Sequence, residues 1–299
     1  MIRPCCFGPN DQTAQSNFFQ RSSTIPRAEI QVRAVAEFDA LVKALADAGV
    51  EPIVFQDTDS PLKPDAVFPN NWVSFHADGR VFLYPMEAPT RRAERRMDII
   101  ETLSQKHAFR VTDIVDLSTW EERGSFLEGT GSMVLDRVRR IAYAALSSRT
   151  HMQVLADFSQ RAGYEISAFD AVDAQGRSVY HTNVMMCIGE EFAVICADAI
   201  ADRQQRADVL AQLTASGREI VEISLAQMER FAGNLIEVAG TTGTSVIVLS
   251  DAALGVMSKT QLDSLARCGR ILSIPIDTIE SAGGGSVRCM MAEVFLPSD

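Results

Sequence analysis

The chain has 299 residues, and its 28 lysines and arginines against 39 aspartates and glutamates give a net charge of -11. This length allows one large domain or two small ones, and the 46% of hydrophobic and 22% of charged residues exclude a mainly disordered protein. The negative charge disfavours binding to nucleic acids and to anionic membranes.

The N-terminal residues Met1 to Asn10 contain no basic stretch followed by an apolar run, so no secretory signal is predicted. No apolar run reaches the roughly 20 residues that a membrane-spanning helix needs. We therefore expect a cytoplasmic protein. The six cysteines include no C-x-x-C pair, which fits neither a disulfide scaffold nor a zinc finger, so a special cysteine is expected to serve chemistry.

A helix followed by a strand is predicted five times along the chain. Each copy has apolar residues at helical spacing, then a polar or glycine stop, then a short apolar run. The five predicted pairs are Val32–Leu45 with Pro52–Phe55, Arg91–Lys106 with Arg110–Val115, Thr150–Ala162 with Tyr164–Phe169, Asp202–Ala215 with Glu219–Ile223, and Ser258–Gly269 with Arg270–Ile274. The last helix begins with a capping-box pair, Ser258 and Gln261.

A pair of apolar runs with the pattern of a β-hairpin follows each of the first four strands. These pairs are Trp72–Phe75 with Arg80–Tyr84, Ser132–Leu135 with Ile141–Ala145, Asn183–Ile188 with Phe192–Cys196, and Leu235–Val238 with Ser245–Leu249. The fifth copy has only Ser286–Phe295. We expect the N-terminal residues Met1–Phe7 to supply its missing partner and to close a ring.

Alternating helices and strands indicate an α/β fold, and a period of about 50 residues indicates radial repetition. We predict a five-bladed α/β propeller, built from ββαβ repeats around a pseudo-fivefold axis. The whole chain, residues 1–299, would form one catalytic domain. The alternative is two separate α/β domains with a boundary near Asp173–Gly176.

The loop that enters each hairpin carries a different polar or reactive residue. In equivalent units these loops point to the same axis, so one pocket is expected to collect Asn71, Glu128, His181, Asn234 and Cys289. A carboxylate, an imidazole and a thiol are the parts of an activated-thiol site. Residue by residue, the alternative stays open that Cys289 is a buried strand cysteine and that the glycines before it form only a turn.

These residues give the chain a family resemblance. It resembles the guanidine-modifying, or amidinotransferase, superfamily, whose members form a five-bladed α/β propeller. The superfamily's Glu, His and Cys elements resemble Leu127–Gly129, His181–Asn183 and Gly284–Cys289. One branch, the citrulline utilisation hydrolases, is similar to this chain in Phe68–Trp72, Glu128–Gly131 and Tyr180–Met185. The resemblance runs from Arg3 to Phe295 and implies that Cys289, His181 and Glu128 are the catalytic residues.

The resemblance also implies residues that bind the substrate. Arg91 and Arg149 match arginines that hold the substrate α-carboxylate in the dimethylarginine-hydrolysing members, and a guanidinium fork suits a carboxylate. Asp65 matches an acidic residue near the amino-acid head of the substrate. Without the resemblance, the two arginines would be interpreted as solvated charges at helix starts.

Two departures from the family pattern concern charge. Guanidinium-binding members generally carry a carboxylate where this chain has Asn71, and arginine deiminases carry an aspartate where it has Asn183. A buried guanidinium needs negative partners, which asparagine does not supply. Together with Asn234, these asparagines are expected to bind a neutral ureido group. We therefore expect a hydrolase that needs no metal or cofactor and converts citrulline to ornithine, ammonia and carbon dioxide.

Several alternatives remain open at this stage. Relatives that hydrolyse arginine twice also carry asparagine at the position of Asn71, so an arginine dihydrolase or deiminase, or a dimethylarginine hydrolase, is the first alternative. An amidinotransferase is the second, and an amino-acid-binding protein without activity is the third. The expected partner is a small amino-acid substrate, with no nucleic acid and no membrane, and a homo-oligomer stays open.

Overall fold

Five small β-sheets and the helices that connect their strands form the framework of the computed structural model, which describes residues 1–21, 24–241 and 243–298. Four sheets have three strands and one has two. In each three-stranded sheet, the second strand of an antiparallel hairpin pairs in parallel with a third strand. Because helices connect the second strand to the third, the predicted ββαβ unit occurs four times.

The strands of the described residues are short. In chain order they are β1 (Ile2–Arg3), β2 (Phe55–Gln56), β3 (Val73–Phe75), β4 (Arg80–Leu83), β5 (Asp113–Asp116), β6 (Val134–Asp136), β7 (Ile141–Ala145), β8 (Glu165–Phe169), β9 (Met186–Ile188), β10 (Phe192–Ile195), β11 (Glu219–Glu222), β12 (Ile236–Ala239), β13 (Ser245–Ser250) and β14 (Arg270–Ile274). The four predicted hairpins are confirmed as β3–β4, β6–β7, β9–β10 and β12–β13.

The helices range from single turns to 21 residues. In chain order they are α1 (Asp11–Ala14), α2 (Arg27–Asp47), α3 (Pro89–Arg92), α4 (Met97–His107), α5 (Gly129–Ser132), α6 (Met152–Ala162), α7 (Arg203–Thr214), α8 (Leu225–Met228), α9 (Asp251–Leu254), α10 (Lys259–Cys268) and α11 (Asp277–Gly283). Short 3-10 helices cover Pro69–Asn71, Ser118–Arg123, Thr182–Val184 and Ala197–Ala199.

Two local signals of the sequence explain where elements begin and turn. Gly79, between β3 and β4, has a φ of 88°, a backbone conformation that glycine adopts without strain. Helix α10 begins with the predicted capping box. The Ser258 hydroxyl accepts a hydrogen bond from the backbone N–H of Gln261, whose side-chain oxygen accepts one from the backbone N–H of Ser258.

The apolar core connects neighbouring sheets through the helices. Along α2, the buried residues Ile30, Ala34, Phe38, Leu41 and Leu45 recur every three or four positions, so they form one face. This face packs in one apolar cluster with residues of β12, β13 and β14. A membrane crossing would need a longer and more apolar helix than any in the described residues.

Two predictions about elements are wrong. The expected helix Arg91–Lys106 is two helices, α3 and α4, because Arg96 takes an extended conformation between them, with φ -105° and ψ 102°. The expected strand Ser286–Phe295 is absent from the described strands, because its first part folds into turns in which the Cys289 N–H donates to Ser286 O. The N-terminal strand β1 pairs in parallel with β2 instead.

A cleft lies beside the segment that does not form this strand. We call it the apolar cleft, and its volume is about 380 Å³. Its lining includes Ile2, Val73, Phe75, Ile99, Leu103, Phe109, Val238 and residues 291–295. The C-terminal segment and β1 therefore border the same open space.

Candidate active site

A small polar cavity lies where the loops before the hairpins meet. Its lining residues are Thr13, Asn17, Asp65, Phe68, Asn71, Arg91, Arg149, Tyr180, His181, Gly283, Gly284, Gly285 and Cys289. Six of the nine predicted residues line this cavity, and the other three contact lining residues: Glu128 contacts His181, and Asn183 and Asn234 contact Cys289. The free volume is about 10 Å³, which is about the space that one water molecule needs. A substrate can bind only after part of the lining moves.

Cys289 lies on the turn that replaces the predicted last strand, and its side chain is buried. The side-chain N–H groups of Asn183 and Asn234 point at its sulfur, with Nδ2–Sγ distances of 3.3 Å and 3.4 Å. Both asparagines were predicted to bind substrate. In this structure both contact the thiol.

His181 begins the 3-10 helix Thr182–Val184 and is buried beside Cys289 in the cavity lining. Its Nε2 lies 2.8 Å from Oε2 of Glu128. Burial lowers the pKa of His181 to about 4, although the bond to Glu128 acts in the opposite direction. The imidazole is therefore neutral at neutral pH.

Glu128 precedes α5, and its carboxylate is fully buried. Its Oε1 accepts a hydrogen bond from the Glu87 N–H, and its Oε2 lies 3.4 Å from Nη1 of Arg149. Burial alone would raise the pKa of Glu128, but Arg149, His181 and Arg91 outweigh it and hold that pKa well below its usual range. A permanent carboxylate therefore lies next to a neutral imidazole.

Two glycines of the segment Glu128–Gly131 are required by close approach. A Cβ atom at Gly131 would overlap Nδ2 of Asn71 and lie 2.8 Å from Nδ1 of His181. Gly129 has a φ of 49°, and a Cβ there would overlap the backbone oxygen of Asn70. Glycine at these positions lets the loops of three units meet.

Arg91 is held by the protein's own acceptors. Its guanidinium donates two hydrogen bonds to the carboxylate of Glu94, at 2.9 Å and 2.8 Å, and one to Oδ1 of Asn71, at 2.8 Å. It also donates to the backbone oxygen of Phe68. Arg91 was predicted to hold the substrate carboxylate, but most of its N–H groups already donate to acceptors of the protein. Its contacts instead orient Asn71.

Arg149 is held by the N-terminal segment. Its Nη2 donates to the backbone oxygen of Thr13 and to Oγ of Ser16, at 2.9 Å each, and its Nε donates to the same hydroxyl. These two oxygens thus use the Nε–Nη2 edge of the guanidinium, which is an edge that can bind a carboxylate through two hydrogen bonds. Its remaining contacts are to carboxylates, with Glu87 3.3 Å from Nε and Glu128 3.4 Å from Nη1.

Asp65 lies at the same end of the cavity and is buried. Its Oδ2 accepts a hydrogen bond from Nδ2 of Asn10 at 2.7 Å and lies 3.9 Å from Nε of Arg91. Burial raises the pKa of Asp65 against the effect of Arg91. Its predicted role near the amino-acid head of a substrate stays a prediction.

The three glycines before Cys289 make room for neighbouring side chains. A Cβ at Gly283 or Gly285 would lie 2.9 Å from the ring of Phe68, and one at Gly284 would meet Asn17. Asn17 donates hydrogen bonds to the backbone oxygens of Gly283 and Gly284. In this structure Phe68 and Asn17 fill the space that the missing side chains leave.

Sequence reasoning missed the residues that close the cavity and those that brace it. They are Asn10, Thr13, Ser16, Asn17, Phe68 and Glu94. The helical spacing of Arg91 and Glu94 was a usable signal, because residues three apart on a helix are neighbours. The N-terminal residues gave no comparable signal. Among the described residues, no group of three or more His, Cys, Asp or Glu side chains could hold a metal ion.

Comparison with known proteins identifies the family. The family model for N,N dimethylarginine dimethylhydrolase, eukaryotic, matches residues 3–296, which is nearly the whole chain. No curated protein matches the chain.

Several solved structures share the fold at low sequence identity. The apo structure of ArgZ, an arginine dihydrolase from the ornithine-ammonia cycle in cyanobacteria, is 17% identical with a TM-score of 0.75, and the match covers 100% of this chain and 40% of that chain. The N-terminal domain of ArgZ bound to substrate is 16% identical with a TM-score of 0.72, covering 99% of this chain and 98% of that domain. A dimethylarginine dimethylaminohydrolase adduct with S-methyl-L-thiocitrulline is 16% identical with a TM-score of 0.62, covering 97% and 96%.

This chain thus spans less than half of full-length ArgZ and nearly all of its N-terminal domain. The likeness shows that the two share an α/β fold. Because the family model covers almost every residue, the chain belongs to the N,N dimethylarginine dimethylhydrolase family of the amidinotransferase, or pentein, superfamily.

Proposed function

We propose that this protein hydrolyses the terminal ureido group of citrulline, releasing ornithine, ammonia and carbon dioxide. One observation carries the proposal. Close to Cys289, one buried amide donor and one buried amide acceptor have no hydrogen-bond partner among the residues that the structure describes: Nδ2 of Asn71 and Oδ1 of Asn183. A ureido group offers the complement, a carbonyl acceptor and N–H donors, whereas a guanidinium offers only donors.

The orientation of Asn71 supports the assignment of the donor. Arg91 has only N–H groups to offer, so the amide atom that faces it must be the oxygen, and the Nη1–Oδ1 distance is 2.8 Å. The Nδ2 group then lies on the other side, against Gly131 and near His181. A buried donor without an acceptor is costly, and a ureido carbonyl would satisfy it.

The other end of the cavity supports an α-amino acid. Arg149 would bind the α-carboxylate once Thr13 and Ser16 release its guanidinium, and Asp65 would bind the α-ammonium once Asn10 moves away. All of these contacts come from residues 10–16, so one displacement removes them from both charged groups and leaves Arg149 next to Glu87 and Glu128. The same displacement enlarges a cavity that is now too small for an amino acid.

The reaction proceeds through a sulfur-linked intermediate. The neutral imidazole of His181 accepts the thiol proton, and the Cys289 sulfur adds to the ureido carbon. His181 returns this proton to the terminal nitrogen, the bond from carbon to that nitrogen breaks, and ammonia leaves. Water activated by His181 then breaks the carbon–sulfur bond, and the resulting carbamate releases carbon dioxide and ornithine. Glu128 stabilises the imidazolium during both proton transfers.

A second candidate is an arginine dihydrolase. The carboxylate of Glu128 is buried and ionised, so it can pair with a guanidinium in the cavity. ArgZ is called an arginine dihydrolase, and another neighbour, an AgrE variant, was solved with L-arginine. Such an enzyme would perform the ureido hydrolysis as its second step. An amidinotransferase would differ in product, because it passes the amidino group to an amine instead of water.

We extend the proposal to the architecture: the five sheets are blades of one propeller that forms a single catalytic domain. Four sheets share one topology, and β1 with β2 forms the fifth. Neighbouring units contribute contacting residues to the site, as in the pairs Glu128 with His181 and Asn234 with Cys289. Such contacts are expected where equivalent loops meet near one axis.

Substitution of Asn71, whose Nδ2 has no hydrogen-bond partner among the described residues, tests whether the substrate is citrulline or arginine. In Asn71→Asp, an oxygen replaces Nδ2 and the bond from Arg91 can persist, so kcat/KM for citrulline should fall relative to that for arginine. One hydrogen bond to a charged group corresponds to a roughly ten- to hundredfold change in the ratio. Kinetic constants for both substrates, with ornithine, ammonia and citrulline quantified, provide the measurement.

The matched control is Asn70→Asp. This neighbouring amide is also buried and without a partner in the described part of the chain, but it does not line the polar cavity. It should leave the citrulline-to-arginine ratio unchanged. An unchanged ratio in Asn71→Asp as well would refute the ureido assignment, and a wild-type protein that prefers arginine and yields ornithine would establish the dihydrolase. Transfer to an added amine would establish the amidinotransferase.

A further inference from the structure

The sulfur of Cys289 is surrounded by amide groups. Its side-chain hydrogen-bond partners within the described residues are the carboxamides of Asn183 and Asn234. All three residues are at most 3% exposed. His181 lines the same cavity and is bonded through Nε2 to Glu128.

The amide of Asn234 has a fixed orientation. The backbone N–H of Arg288 donates to its Oδ1 at 3.2 Å, so the oxygen must face that N–H group. Its Nδ2 then donates to the backbone oxygen of Asn183 at 2.8 Å and to the sulfur of Cys289 at 3.4 Å, while the thiol donates to Oδ1 at 3.8 Å. Asn234 therefore connects the backbone beside the nucleophile to the loop that carries His181.

Asn183 provides the second N–H group. It belongs to the 3-10 helix Thr182–Val184, directly after His181, and its Nδ2 lies 3.3 Å from the sulfur. Two amide donors on one sulfur form the arrangement that stabilises a developing anion in a buried site, because their dipoles are fixed before charge appears. They add no net charge to the cavity.

We propose that Asn183 and Asn234 act through Cys289: their paired N–H groups hold its sulfur in place and stabilise its thiolate. This role rests on the proposed function only in taking Cys289 as the nucleophile. It changes the role predicted for Asn234 from substrate binding to support of the thiol. Asn183 has both roles, because its unpartnered Oδ1 remains for the substrate.

Substitution of the donors by acceptors of the same size tests the proposal. Asn234→Asp keeps an oxygen for the Arg288 N–H but places an oxygen in place of the N–H group that faces the sulfur. The readout is the rate at which iodoacetamide alkylates Cys289, measured by peptide mass spectrometry across a range of pH. The pH midpoint of this rate should rise by about one unit or more, which is about a tenfold lower rate at a fixed pH below the midpoint.

A second variant guards against a folding defect. Asn183→Asp removes the other donor and should shift the midpoint in the same direction. With citrulline as substrate, Asn234→Asp should lower kcat and leave KM within about threefold, whereas Asn183→Asp should change both. Circular dichroism and thermal unfolding identify any variant that does not fold, and Asn234→Ala, which removes the donor without adding a carboxylate, then takes the place of Asn234→Asp with the same expected shift.

Thr182→Val is the matched control. Thr182 lies in the same 3-10 helix and is fully buried, and its hydroxyl bonds to the backbone of Ser132 and Ala145 but does not touch the sulfur. It should lower stability without moving the alkylation midpoint. If both asparagine variants fold and keep the wild-type midpoint, or if Thr182→Val shifts it equally, the proposal is overturned.

Alkylation requires no substrate, so this test is independent of the proposed reaction. A protein that fails to hydrolyse citrulline can still show the midpoint shift, which would refute the function and support the amide pair. Turnover retained by Cys289→Ser would refute the nucleophile assignment and leave the alkylation result to decide the amide contacts alone.

Discussion

The polar cavity and the apolar cleft lie close together in the sequence but differ in chemistry. Asn71, just before β3, lines the polar cavity, and Val73, the first residue of β3, lines the apolar cleft. The polar cavity leaves about 10 Å³ free and is crossed by hydrogen bonds, whereas the apolar cleft leaves about 380 Å³ between apolar side chains.

The difference shows which constraint each region satisfies. Around Cys289, every shift of a polar group breaks a directional bond, so positions are tightly fixed. Around Leu103, apolar contacts are non-directional and part of the surface faces open space. We therefore expect substitutions in the cavity to affect activity more than stability, and substitutions at the cleft to do the reverse.

The largest effect is expected for Cys289→Ser. The hydroxyl is not ionised at neutral pH, so kcat should fall by about a thousandfold or more. The free energy of unfolding should change by less than about 1 kcal/mol, because the side chains are similar in size. Turnover assays and urea denaturation measure the two quantities. A large loss of stability would mean that the cavity residues also stabilise the fold, and it would contradict the expected difference between the cavity and the cleft.

A smaller loss of activity is expected for Gly131→Ala. The added methyl group would push Asn71 and His181 apart, and misplacement of reacting groups by about 1 Å costs about a hundredfold in rate. The measurement is kcat/KM with the wild-type substrate. Gly217→Ala is an informative comparison, because a Cβ there meets nothing within 4 Å although its φ of 79° is strained. The backbone of Gly131 is not in the left-handed region, so an equal activity loss in both variants would mean that the contacts at Gly131 do not cause the loss.

At the cleft, Leu103→Ala should lower stability and leave kcat/KM within about twofold. Leu103 borders the apolar cleft, while Leu155 in the equivalent helix α6 is fully packed. Removal of a leucine side chain costs about 2–5 kcal/mol, and more where the remaining space cannot collapse. We expect Leu103→Ala near the lower limit and Leu155→Ala near the upper one, measured by urea unfolding. The opposite order would show that the cleft is closed in solution.

The smallest effect concerns pH. Burial lowers the pKa of His181 from 6.5 to about 4, so the unfolded chain takes up a proton below pH 6.5 that the folded protein excludes until about pH 4. The stabilising contribution is complete above pH 6.5 and is lost as the pH falls. At pH 5 the loss is about 2 kcal/mol. Unfolding at pH 7 and pH 5 should show this difference between wild type and His181→Gln, and equal pH dependence would contradict a neutral, buried imidazole.

Much of the fold was predictable because its signals are local. The Asp78–Gly79 turn and the Ser258–Gln261 capping box each depend on neighbouring residues, and both are present. Ser286–Phe295 misled because apolar residues also occur in a turn when its side chains are buried. There Val287 and Met290 are buried in an apolar cluster without any strand ladder.

For the site, equivalence of the five units correctly placed Cys289, His181 and Asn71 at one cavity. This equivalence could not predict which side chains contact each other, because contacts between units depend on three-dimensional geometry and not on the spacing of the repeats in the sequence. Asn234, for example, does not line the cavity itself, and it contacts the thiol of Cys289 from behind the lining. Residues Thr13 and Ser16 lie more than 130 positions from Arg149 in sequence, and no local pattern relates them.

The bond from Arg91 to Oδ1 of Asn71 has an evolutionary consequence. Because Arg91 holds the oxygen, exchange of asparagine for aspartate leaves that contact in place and replaces one NH₂ group by one oxygen on the side of His181. A single nucleotide change is enough for this exchange, and the fold need not adjust. For the proposed citrulline hydrolase, one codon change would therefore introduce the negative charge that a cationic substrate needs. The residues that would hold the new carboxylate in place, Arg91 and its partner Glu94, are already present.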